Sequence, residues 1–167
     1  MSTRFEEFLK QKAEESDWRD RNRSRSEWLL TLNHLFAEIR KWLREADPEG
    51  LLEVVPYQVE RVEQRLGIYD APALKIRLGT NSIDILPMGR HVTNHLQLQN
   101  MLVIPSNVGR WGDLSGGRVD VTDGERRYQL LRSTEAGQDR WYAWSVKPPL
   151  LVFDRDRLEE ILQDLLR

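Results

Sequence analysis

Cysteine is absent from this 167-residue chain. That excludes a disulfide framework, a cysteine-ligated zinc site and a thiol nucleophile, and it fits a reducing compartment. Long apolar runs are missing as well. No stretch approaches the ~18 residues of a membrane span, and "MSTRFEEFLKQKAEESD" lacks the uninterrupted apolar core of a signal peptide. Both absences lead to the expectation of a cytoplasmic protein with no membrane partner. Neither sign of charge dominates, since 25 Lys and Arg face 27 Asp and Glu for a net charge of -2. No global field then draws the molecule to a polyanion, and any such site must be local. The G-x-G-x-x-G and Walker A sequences are absent, and Ser115 in "LSGG" has no G-x-S-x-G context.

What is present is 40% hydrophobic and 31% charged residues, enough for a core in one domain of common size. The expected organisation is a single domain over 1–167, with a helix and joint at 1–23 peripheral to it. Residues 3–17 carry Phe5, Phe8 and Leu9 among many Glu and Lys, which predicts a helix with a narrow apolar stripe. The next helix reads more strongly, because Trp28, Leu32, Leu35, Phe36, Ile39, Trp42, Leu43 and Ala46 recur at three-and-four spacing. Ser24 with Glu27 predicts its capping-box start, and Pro48 and Gly50 predict its stop.

After Gly50 the period changes to that of antiparallel strands. Val55, Tyr57 and Val59 alternate, with Pro56 arguing for an edge position. Leu74, Ile76 and Leu78 lead into a hairpin that returns through Ile83 and Ile85. A second hairpin turns at Asp123-Gly124, and "GQDRWYAWSVK" supplies a third consecutive strand. Residues 90–117 fit no single element. At the end, Leu158, Ile161, Leu162 and Leu165 return to helical spacing behind Asp154 as N-cap. The expected fold class is therefore α+β: two N-terminal helices, an antiparallel meander of about six strands and a C-terminal helix, with the helices on one sheet face.

Four groups of residues are candidates for chemistry. Arg19, Arg21, Arg23 and Arg25 stand at every second position of "WRDRNRSRSEW". An extended backbone would align them at ~6.6 Å, near the spacing of phosphates, whereas a helix scatters them by ~200° per step. Glu14, Glu15, Asp17, Asp20 and Glu27 lie close enough in sequence to pair with them, so a solvated interhelical joint is expected, with a nucleic-acid grip as the alternative. His91 and His95 have helical metal-ligand spacing, but the even-numbered Leu96, Leu98, Leu102 and Ile104 favour a strand, which would hold the imidazoles ~13 Å apart. No metal and no cofactor is therefore expected. Asp84, Asp120, Asp123 and Glu125 would suit a metal-dependent hydrolase of the nuclease kind, but Arg127 is a poor stand-in for a catalytic lysine, because it does not release its proton.

The fourth group is the aromatic strand. Alternation sends Trp141 and Ala143 to one side and Tyr142 and Trp144 to the other, so either the strand is buried on both faces or one set is left for a partner. Tyr142, Trp144, Arg110, Trp111 and Arg118 are the residue types that dominate interface hot spots. The expected function is accordingly a non-catalytic cytoplasmic protein-binding module, an adaptor or a subunit of a larger assembly, with another protein as partner. A nucleic-acid accessory protein using Arg19 to Arg25 ranks second, and the hydrolase third.

Overall fold

The computed structural model describes residues 3–91, 116–134, 139–145 and 150–167. A single helix, α1 (Arg4–Ala46), takes up the first 43 residues of regular structure. Thr3 caps it: the Thr3 hydroxyl accepts from the Glu6 N–H at 3.2 Å, and the Glu6 carboxylate accepts from the Thr3 N–H at 3.0 Å. The joint expected at Arg19 to Arg25 and the helix start expected at Ser24 are therefore corrected, since Ser24 and Glu27 lie inside α1. The sequence permits this. No Gly or Pro interrupts residues 4–46, and Arg, Glu, Leu and Ala propagate a helix so well that one Ser–Glu pair does not restart it. The helix stops at Asp47, whose carboxylate accepts from the Leu51 and Leu52 N–H groups at 2.9 and 2.7 Å.

Seven strands follow among the described residues: β1 (Glu53–Glu63), β2 (Gly67–Leu78), β3 (Asn81–Gly89), β4 (Arg118–Thr122), β5 (Arg127–Ser133), β6 (Arg140–Trp144) and β7 (Leu151–Val152). They pair in sequence order into one antiparallel sheet, and the chain ends in α2 (Arg155–Leu165), capped by Asp154. The strand beyond the six expected is β7, too short for alternation to mark. Pro56 lies, as expected, on an edge strand, β1.

Both helices cover the same sheet face. Trp28, Leu32, Leu35, Phe36, Ile39 and Leu43 from α1 and Leu158, Ile161, Leu162 and Leu165 from α2 share one core with Leu74, Ile76, Ile83, Ile85, Val119, Val121, Leu130, Trp141 and Ala143. Gly117 is required beside that core, because a Cβ there would stand 2.3 Å from the Trp28 ring. β2 extends past its pairing with β3, which covers only Leu74 to Leu78. In that overhang the buried side chains change phase, from Leu74 and Ile76 to Tyr69, Ala71 and Ala73. The β1–β2 hairpin thereby leans over β3, and Arg61 Nε donates to the Pro87 carbonyl at 2.6 Å.

Candidate functional site

Four places gather polar or aromatic groups. The first is the sheet face away from the helices. Pairing of Asp120 with Gln129 and of Arg118 with Leu131 puts Arg118, Asp120, Thr122, Arg127, Gln129 and Leu131 on this face, and β6 adds Tyr142 and Trp144 beside Leu131 and Gln129. Asp120 is completely buried. Arg118 holds both its oxygens, Nε to Oδ1 at 2.8 Å and Nη2 to Oδ2 at 2.9 Å, and Arg127 Nη1 contacts Oδ2 as well. The Arg118 fork, with the half-exposed Arg127 beside it, offsets the desolvation of Asp120 and Arg118. Tyr142 and Trp144, at 4% and 7% exposure, form a second small apolar cluster with Leu131 and Leu150. The predicted division of β6 holds, with Trp141 and Ala143 in the main core, but neither set is left toward solvent. The partner-facing role expected of Tyr142 and Trp144 loses its premise: β6 is buried on both faces.

The acidic strand residues are also committed. Asp84 lies on the same face as Asp120, because it pairs with Thr122, but it accepts from the Tyr57 hydroxyl at 2.9 Å and ion-pairs with Lys75 at 3.1 Å. Asp123 shapes its turn, accepting from the N–H groups of Glu125 and Arg126, which hold its carboxyl below the usual range. Among the described residues no group of three or more His, Asp and Glu side chains converges.

A second place is the distal β1–β2 hairpin. Trp28 Nε1 donates to the Tyr69 hydroxyl at 3.2 Å, Tyr69 donates to Glu63, and Glu63 also accepts from the His91 N–H at 3.0 Å. Burial, then the bond to Glu63, pushes the Tyr69 phenol well above its usual range. Nothing in the sequence pattern announces this chain of bonds, because it links residues up to 41 apart. His95, Arg110, Trp111 and Ser115 lie outside the described residues.

A third place is a groove of about 470 Å³ between α1 and the β6–β7 edge, walled by Leu35, Trp42, Trp141 and Phe153 with His34, Glu38 and Arg140 at its rim. Asp139 at one end accepts from Arg132 Nη2 at 2.6 Å and from the Thr31 hydroxyl at 3.2 Å.

The fourth place is the N-terminal half of α1. Every residue from Thr3 to Arg21 is exposed, including Phe5 at 66%, Phe8 at 51%, Leu9 at 49% and Trp18 at 65%. This half is a helical arm of ~27 Å beyond the packed half. The arginine run belongs to its base and divides in two. Arg21 and Arg25 lie against the β1–β2 turn at Gly67, where Arg25 Nη1 reaches the Ile68 carbonyl at 3.5 Å. Arg19 and Arg23, two positions out of phase, fall on the opposite side of the helix. The four guanidinium groups form no common row.

Compared with protein families, with curated proteins and with solved structures, the chain finds no match.

Proposed function

We propose that this chain is a non-catalytic protein-binding module, an adaptor or a subunit of a larger assembly in the cytoplasm, and that it engages its partner through the helical arm. One observation carries the reading. A helix with Phe5, Phe8, Leu9 and Trp18 all about half exposed or more stands clear of the sheet that covers the rest of α1. Scattered exposed apolar residues are normal on a surface, but three within one turn and a half of a projecting helix are the anchor spacing of helix-in-groove and helix-pair recognition. The arm thus replaces the β6 aromatics as the favoured surface. Nucleic acid has less support, because the arginines split between two sides of α1 and Arg25 is already bonded to its own hairpin.

Affinity capture with the full chain and with Phe5→Ala/Phe8→Ala/Leu9→Ala tests the proposal, run with and without nuclease. The expected result is a stoichiometric protein partner held by the native arm and lost with the substituted one, at unchanged melting temperature. Identical capture by both proteins would refute it, and arm-independent capture abolished by nuclease would favour the nucleic-acid reading.

A further inference from the structure

We infer that the occupant of the arm is the arm of a second copy of this chain, laid antiparallel, and this rests on the reading of the arm as a binding element. Three observations lead there, the first being direction. On a helix turning ~100° per residue, the buried Trp28, Leu32, Leu35, Phe36, Ile39 and Leu43 define one sector, and Phe5, Phe8 and Leu9 fall about 180° from its centre. The apolar stripe therefore points away from the sheet of its own chain. A partner helix seated on it lies on the outer side of α1, where it meets no other described element.

The second observation is the order of residues along that outer stripe: Phe5, Phe8, Leu9, Lys12, Ser16, Arg19, Arg23. It is aromatic at one end and cationic at the other. Turned antiparallel on itself about its middle, it brings Arg23 of one chain over Phe5 of the other and Arg19 beside Phe8 and Leu9, with Lys12 opposite Ser16 and next to Glu15. Guanidinium groups stack well on aromatic faces. The same chemistry already occurs within one chain, where Lys12 Nζ stands 5.9 Å from the Phe8 ring centroid while pairing with Glu15 at 3.4 Å.

The third observation is charge along the axis. From residue 4 to 17, five carboxylates (Glu6, Glu7, Glu14, Glu15, Asp17) outnumber three cations (Arg4, Lys10, Lys12), whereas from 18 to 25 four arginines face Asp20 alone. A parallel pair would set the four arginines of one chain beside those of the other, whereas the antiparallel pair sets them beside residues 4–10, where Glu6 and Glu7 balance Arg4 and Lys10. Two-fold self-pairing of this kind closes on itself, so a dimer and not a filament results. Its area is small, near or below the ~1,200 Å² at which specific interfaces begin, so the dimer should be weak and reversible.

Sedimentation velocity on the full chain over a concentration series tests the mass, with a reversible rise from 19.7 kDa to twice that value expected. Phe5→Ala/Phe8→Ala, and separately Arg19→Glu/Arg23→Glu, should each raise the dissociation constant by about tenfold or more while leaving the melting temperature unchanged. Direction is read by disulfide formation, which the cysteine-free background makes clean. In an equimolar mixture of Lys12→Cys and Ser16→Cys chains the mixed disulfide should dominate. Dominance of the two self-disulfides would mean a parallel pair and overturn the proposal, as would a dimer indifferent to both arm variants. A chain that stays monomeric throughout overturns it too. If that monomer still captures a different protein through the arm, the binding-module reading stands; if it captures nothing through the arm, both fall.

Discussion

Asp120 shows how differently two arginines on one carboxylate contribute. Arg118 is buried with it, whereas Arg127 is almost half exposed. Removing the shared partner strands a buried guanidinium, so Asp120→Ala should cost about 3–5 kcal/mol in urea unfolding. Arg127→Ala, which leaves the Arg118 fork intact and removes a solvent-screened contact, should cost ~1 kcal/mol or less. Equal costs would mean that the fork is not the principal interaction. Gly117→Ala forces the Trp28 ring to move and holds Ala at a φ of 144°, so a loss of about 2–4 kcal/mol is expected in the same measurement. The tyrosines supply a pH test. Burial, with bonds to Asp84 and Asp164, pushes Tyr57 and Tyr128 up to about 12, and Tyr69 is raised further. A phenol whose folded pKa exceeds its unfolded value near 10 contributes stability that is full below pH ~10 and lost as pH climbs toward 12. Phenolate absorbance of the native chain should therefore lag behind that of the urea-unfolded chain across this window; coincident curves would show these hydroxyls to be solvated.

At the scale of elements, β6 is the instructive case. Its two faces feed two different apolar clusters, so neither aromatic set is spare. Tyr142→Ala/Trp144→Ala should accordingly lower stability by at least ~3 kcal/mol, where a solvent-facing pair would lose little. A melting temperature unchanged by this double substitution would restore the β6 face as a binding candidate. The sheet edges are treated unequally. β7 is two residues long, which leaves little backbone to template a foreign strand, while β1 presents eleven residues interrupted by Pro56, where no N–H is available.

The whole molecule is a packed α+β body with a helical lever on it. From Trp28 onward α1 is a core element, and before Asn22 it makes no buried contact among the described residues. Stability should follow that division. A chain starting at residue 22 should unfold at the same urea midpoint as the full chain, within ~0.5 kcal/mol, while losing helical signal in proportion to the residues removed. A large drop in midpoint would mean that the arm folds back onto the body in solution, and the arm would then cease to be a binding surface. No helix among the described residues is long and apolar enough to cross a membrane.

Period and punctuation were sufficient for most of this architecture. The three-and-four spacing from Trp28 to Leu43, the alternation through Ile83 and Ile85, the Asp123-Gly124 turn and the Asp154 cap each follow from backbone geometry acting over a few residues, so they are legible in the chain itself. What only the tertiary structure decided depends on who sits opposite whom. Ser24 and Glu27 look like a helix start by local rules, yet a continuous helix propagates through them because the packed half supplies a ready nucleus. The arginine run divides in two because its register is inherited from the residues that bury α1. Asp120 resembles an outward strand carboxylate until Arg118 and Arg127 are seen around it, and Tyr142 and Trp144 resemble a free surface until both faces of β6 prove to be covered. Burial is a sum over the whole fold, and alternation states only that two sides exist, not which of them meets water.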